Sequence, residues 1–104
     1  MELTPPYNIM KKLKTEDDVK ELIKDFGYEN VLIFSNPDYA GAFIGMSDDN
    51  RAVYDFNLMV QHLIEVDDME EIEAVEFIEY NTLRALPYFG DNAPIIIYSL
   101  YPEQ

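Results

Sequence analysis

From Thr15 onward, the apolar residues Val19, Leu22, Ile23 and Phe26 fall at i, i+3, i+4 and i+7, one stripe along an α-helix. Thr15 is placed to cap that helix. Glu16, Asp17 and Asp18 occupy its first turn, where carboxylates complement the helix dipole, and Gly27 is placed to close it. Residues 1–14, with Pro5, Pro6, Lys11, Lys12 and Lys14, carry no such periodicity. They predict an irregular arm ahead of a single domain over 15–104.

The pattern then changes. Val31 to Ser35 is a short β-branched and aromatic run, stopped by the turn tripeptide Asn36-Pro37-Asp38. Tyr39 to Met46 predicts a second strand, with Gly41 and Gly45 signalling a bulge or a close backbone approach. After the turn residues Ser47 to Asn50, Arg51 to Tyr54 predicts a third strand, which completes an antiparallel meander.

Asp55 is placed to cap a second helix, whose buried stripe is Phe56, Met59, Val60, Leu63 and Ile64. Val66-Asp67-Asp68 breaks it. Asp67 with Glu70, and Asp68 with Glu71, both have the spacing of a capping box, so a new helix is predicted from here to about Leu86, where Pro87 stops it. Beyond the loop from Tyr88 to Asn92, Pro94 to Leu100 predicts a final strand. Ile95, Ile96 and Ile97 leave no polar alternation, as expected of a strand covered on both faces. The fold class is α+β: helix, three-stranded antiparallel meander, two helices and a final strand, with the helices on one face of the sheet.

The third helix departs from simple amphipathicity. Ile72, Val75, Glu79, Thr82 and Leu86 follow the alternating spacing of a packed seam, which predicts that Glu79 is partly desolvated. The opposite arc holds Glu70, Glu73, Glu76, Asn81 and Arg84 but also Phe77 and Tyr80, so the helix is expected to be central. Arg84 is the one base after residue 52 and the natural counterion for Glu76, Glu79 or a carboxylate from another element. At 100° per residue it lies about 140° from Glu79, which disfavours a direct pair with that residue. Glu79, Asn81, Thr82 and Arg84, with Tyr88 in the following loop, form a candidate polar network or ligand cluster.

Charge sharpens this picture. The 104 residues include 21 acids and 7 bases, for a net charge of −14. The segment from Glu65 to Glu79 holds eight acids and no base. Such a cluster projects a negative potential to about 8 Å at physiological salt. The ordinary reading is a solvated helix face. The sharper one is a docking surface for a basic protein, built from Glu65, Asp67, Asp68, Glu70, Glu73 and Glu76 with Phe77 and Tyr80. An exposed Phe77 and Tyr80 would also allow a homodimer. So acidic a chain lacks the basic patch that binding to nucleic acid requires.

Other chemistry is thin. No cysteine is present, which excludes disulfides, thiolate catalysis and thiolate metal sites. No window approaches the roughly 18 apolar residues of a membrane span, so a cytoplasmic address is expected. Glu70, Glu73, Glu76 and Glu79 resemble an E-x-x-E magnesium pattern, yet successive members rotate about the helix so that only neighbouring pairs could share an ion. Asp48-Asp49-Asn50 lacks calcium-loop spacing. The triplet Asp25-Phe26-Gly27 has the letters of a kinase motif without the rest of a kinase. His62 sits at the edge of a helix stripe. Ser35, Ser47 and Ser99 lie in no nucleophile elbow. The sequence assigns no catalytic residue, metal ligand or cofactor.

The run FIEYNTLRALPY, Phe77 to Tyr88, followed by GDNAPIIIY, Gly90 to Tyr98, resembles a group of small acidic proteins of low-GC Gram-positive bacteria and their phages. Asn36 to Leu63 resembles the same group. The resemblance implies a cytoplasmic, phage- or prophage-encoded accessory protein and carries over no catalytic residue. Three functional expectations follow: a nonenzymatic acidic interaction module, a nucleic-acid mimic that occupies a host protein's channel, or a small carboxylate-based or magnesium-dependent enzyme.

Overall fold

The computed structural model describes residues 13–100. Residues 1–12 of the expected arm lie outside that range. Of the remainder, Leu13 packs partly buried against the core, and the Lys14 N–H donates to Asp18 Oδ2 at 2.8 Å.

Helix α1, Glu16–Asp25, forms as its caps dictate. The Asp18 N–H donates to Thr15 Oγ1 at 3.2 Å, and the Thr15 N–H donates to Asp18 Oδ2 at 3.1 Å, a reciprocal box. Gly27 follows at φ +90°, and its N–H reaches the Lys24 carbonyl at 2.9 Å. Val19 and Ile23 bury the helix against the core.

Among the described residues the sheet has three strands: β1, Phe43–Met46; β2, Ala52–Asp55; and β3, Ile95–Ile97, in the order β1-β2-β3. The fold class is α+β, but the expected antiparallel meander is corrected in two places. Residues 31–35 join no ladder. They are bracketed by Asn30 and Asn36 at φ 58° and 57°, and the Phe34 N–H is taken by the Tyr54 hydroxyl at 3.2 Å instead of a strand carbonyl. Tyr39 is also left-handed, at φ 47°, and Ala40–Ala42 forms a 3₁₀ turn, so β1 starts four residues later than expected.

The second correction is direction. β1 and β2 are antiparallel, with a bulge between Phe43 and Gly45 that Gly45 absorbs at φ +157°. β2 and β3, however, are parallel, pairing Val53 with Ile95, Tyr54 with Ile96 and Asp55 with Ile97. β2 runs straight into a helix, and the chain returns through further helical turns before β3, as a parallel crossover requires. β3 is only half-covered, with Ile97 37% exposed.

Helix α2, Phe56–Asp67, starts at Asp55, whose Oδ2 accepts from the Leu58 N–H at 3.0 Å. Phe56, Met59, Val60 and Leu63 are buried as the stripe predicts. Asp68 ends it at φ 59°. The last turn of α2 therefore consumes Asp67 and Asp68, and helix α3, Glu71–Phe77, is entered from Glu70 instead of from either aspartate. The Glu70 N–H donates to Glu73 Oε1 at 3.3 Å.

The chain then widens into a π-helical turn, Ile78–Leu83, and tightens into a 3₁₀ segment, Leu86–Asn92. Pro87 does not stop the helical path. It sits in the first turn of the 3₁₀ segment, where its missing N–H costs nothing, and Gly90 at φ 82° makes the break. Tyr39, Tyr54, Met59, Leu63, Ile78 and Val19 are fully buried between these elements. Among the described residues no helix is long and apolar enough to cross a membrane.

Candidate functional site

The buried face of the third helical stretch is set by Ala74, Ile78 and Thr82, at four-residue spacing. That choice points Ile72, Glu76, Glu79 and Tyr80 away from the core. Ile72, expected inside, is 68% exposed, and Glu79, expected to be partly desolvated, is exposed too. Glu65, Asp67, Asp68, Glu70, Glu71, Glu73 and Glu76 are likewise exposed. Among the described residues none of these eight carboxylates enters an ion pair. The ion pairs there join Lys20 to Glu16 at 3.4 Å and Arg51 to Asp49 at 3.6 Å, while His62 Nε2 lies 3.8 Å from Asp38 Oδ1.

The expected polar network does not form as one cluster. Arg84 pairs with neither Glu76 nor Glu79. Its guanidinium carbon lies 4.7 Å from the Tyr80 ring centroid, a cation–π contact one helical turn away. Tyr88 is 90% exposed and belongs to no network with Arg84 or Glu79. The Asn81 amide donates to the Phe77 carbonyl at 3.1 Å, within its own helix. Thr82 alone turns inward, where its hydroxyl lies 2.6 Å from that of Tyr39. Among the described residues no three His, Asp or Glu side chains converge as a metal site, so the E-x-x-E pattern has no third ligand.

The residues from Phe77 to Ala85 instead wall a cleft of about 310 Å³. Phe77, Asn81, Thr82 and Ala85 supply one wall, which makes Phe77 part of the cleft instead of the exposed docking residue expected of it. Phe34, Ser35, Asn36 and Pro37 supply the facing wall, with Tyr39 and Phe89 completing it. Phe34 is the corner of an aromatic box. The Tyr39 ring stands 5.4 Å away at 77°, and the Phe89 ring 5.9 Å away at 80°.

Two carboxylates brace the Ser35–Tyr39 wall. The Ser35 hydroxyl donates to Glu16 Oε1 at 2.7 Å, and Asp38 accepts the N–H groups of Glu16 at 2.9 Å and Ala40 at 3.1 Å. The hydrogen bond from Ser35 holds the Glu16 carboxyl below the usual carboxylate range. Burial pushes the Tyr54 phenol up to about 12, with Asp38 and Glu16 adding to the effect against the Phe34 hydrogen bond. Burial likewise raises Tyr39, opposed by Thr82 and aided by the charge of Asp67.

Phe34, Asn36, Tyr39 and Phe89 escaped the sequence reading, because aromatic residues in a presumed strand and loop carry no site signal by themselves. The usable trace was Phe77, Asn81 and Ala85 at four-residue spacing, one row along a helix. No protein-family model, curated protein or solved structure matches this chain, so the functional reading rests on this geometry.

Proposed function

We propose that the protein is a nonenzymatic interaction module whose α2–α3 surface receives a basic protein partner. The observation that carries this reading is the exposure of eight carboxylates between Glu65 and Glu79, none in an ion pair among the described residues. Carboxylates already paired within the molecule would have little field left for a partner; these retain theirs. Two exposed apolar side chains lie among them, Val66 at 65% and Ile72 at 68%, and Tyr80, at 59%, directly follows Glu79. Apolar anchors inside a charged rim are the usual composition of a protein–protein interface, in which the anchors supply affinity and the charges supply approach rate and selectivity.

Affinity capture from host lysate at low and at high salt tests the reading, with the variant Glu65→Gln/Glu76→Gln/Glu79→Gln alongside. The expected catch is a basic protein, recovered at low salt, diminished at high salt and lost with the triple variant. An acidic or neutral partner, or equal capture by the variant, removes the reading.

A further inference from the structure

We infer that the cleft between the Phe34–Tyr39 wall and the Phe77–Ala85 helix binds the ammonium end of a lysine side chain presented by the basic partner. The assignment rests on the interaction-module reading and names the anchor contact within it. Three independent features of the cleft carry it.

The first is shape. At about 310 Å³ the cleft has the size of a small-ligand site and exceeds the needs of one flexible four-carbon stem. The second is the aromatic corner. The Tyr39 and Phe89 rings each stand nearly perpendicular to that of Phe34, and Phe77 borders the same space. Phe77 and Phe89, the partly exposed rings, suit an alkyl stem along their length and a cation at their faces, with the buried Phe34 and Tyr39 behind them, because ring quadrupoles attract positive charge.

The third feature is charge. Among the described residues no basic side chain lines the cleft, while Glu16 and Asp38 lie at its Ser35–Tyr39 wall. The Glu16 carboxylate accepts directly from Ser35 of that wall, and Asp38 belongs to the wall segment itself. An anion is repelled from such a site. An unmodified ammonium also carries three N–H donors that need acceptors, and the lining residues Ser35, Asn36 and Asn81 carry side-chain oxygens of that kind. The cleft shares a helix with the acidic surface: Glu73, Glu76 and Glu79 are exposed along the same stretch that turns Phe77 and Thr82 to the cleft.

The test uses the full chain, labelled with ¹⁵N, titrated with Nα-acetyl-lysine methylamide and followed by amide chemical shifts. Nα-acetyl-norleucine methylamide, which lacks the ammonium, and the Nε-acetylated lysine derivative, which neutralises it, serve as controls. The expected result is saturable shifts confined to residues 34–39, 77–85 and 89, with both controls weaker by at least about fivefold. Phe89→Leu, which keeps apolar volume and removes the ring, is expected to weaken the lysine derivative by about threefold or more. Phe77→Leu carries the same expectation if Phe89→Leu fails to fold. No shifts at the cleft, shifts elsewhere only, or an equal response to norleucine overturns the assignment.

The two proposals fail separately. Salt-dependent capture of a basic protein without a lysine response at the cleft overturns the cleft assignment alone. A lysine response at the cleft without such capture overturns the acidic-surface reading alone.

Discussion

The hydroxyl oxygens of Tyr39 and Thr82 lie 2.6 Å apart across 43 residues of chain, both side chains buried, and so tie the left-handed residue before β1 to the π-helical turn. Each hydroxyl is the other's partner. Tyr39→Phe or Thr82→Val therefore leaves one buried hydroxyl unsatisfied, at a cost of about 1–3 kcal/mol. The double variant removes both and is expected to cost less than the sum of the two single changes. A double-mutant cycle from urea unfolding midpoints measures the coupling. Strictly additive costs would show that the pair contributes nothing jointly.

Asp55 has a comparable role at the other end of the sheet. Its two carboxylate oxygens accept from the Leu58 N–H and the Ser99 N–H, each at 3.0 Å, joining the start of α2 to the segment after β3. Asp55→Ala loses a helix cap and orphans the part-buried Ser99 N–H, which together cost about 1–3 kcal/mol. Urea unfolding at neutral pH reads that loss directly.

The same residue predicts an acid dependence. Burial alone would raise the Asp55 carboxyl, but the hydrogen bonds from Ser99 and from the Leu58 and Asn57 backbone outweigh it and hold the group below its ordinary range. A lowered native pKa means that the ionised form stabilises the fold. That stability is present above the unfolded value of about 4 and is lost as pH falls through the native one. The gap in unfolding midpoint between the native chain and Asp55→Asn is expected to close over that window. A gap that persists at the lowest pH would contradict the assignment.

Tyr54 predicts the alkaline counterpart. Its phenol is pushed up to about 12, chiefly by burial, and its oxygen accepts the Phe34 N–H. Because the native pKa lies above the unfolded value of about 10, the neutral form stabilises the fold; that stability is complete below about 10 and is lost as pH rises toward the native value. Tyr54→Phe removes this slope while leaving the Phe34 N–H unpaired. Unfolding followed by circular dichroism from about pH 9 to about 12 is expected to show a shallower decline for the variant.

Ile72 and Ile78 separate surface from core on one helical path. Ile72 is 68% exposed and Ile78 is fully buried. Ile72→Ser is expected to change stability by less than about 0.5 kcal/mol, whereas Ile78→Ala is expected to cost about 2–5 kcal/mol. If Ile72 lies at the partner interface, Ile72→Ser weakens capture of the basic protein with folding intact. Thermal unfolding and the capture assay together distinguish these outcomes.

Local signals in the sequence settled local structure. The Thr15 and Asp55 caps, Gly27, the α2 stripe and the break at Asp67-Asp68 follow from hydrogen-bond chemistry and periodicity that need no distant partner. Exposure of the acids from Glu65 to Glu76 was equally readable, because unpaired carboxylates avoid the interior. Where two local rules competed, the wrong one was favoured: Glu79 matched the seam spacing, yet Ala74, Ile78 and Thr82 fit the core and turned Glu79 outward.

What the sequence by itself determined is therefore the α+β composition, the capped starts of α1 and α2, and a negative surface after His62. Only the tertiary structure decided that residues 31–35 stay out of the sheet, that β3 joins β2 in parallel, and that Phe34, Tyr39, Phe77 and Phe89 meet around a cleft. The physical reason is range. Caps and stripes are fixed by neighbours within one or two turns, whereas strand partners and cleft walls are fixed by contacts such as Tyr54 to Phe34 and Tyr39 to Thr82, whose energies appear only once the chain has closed on itself.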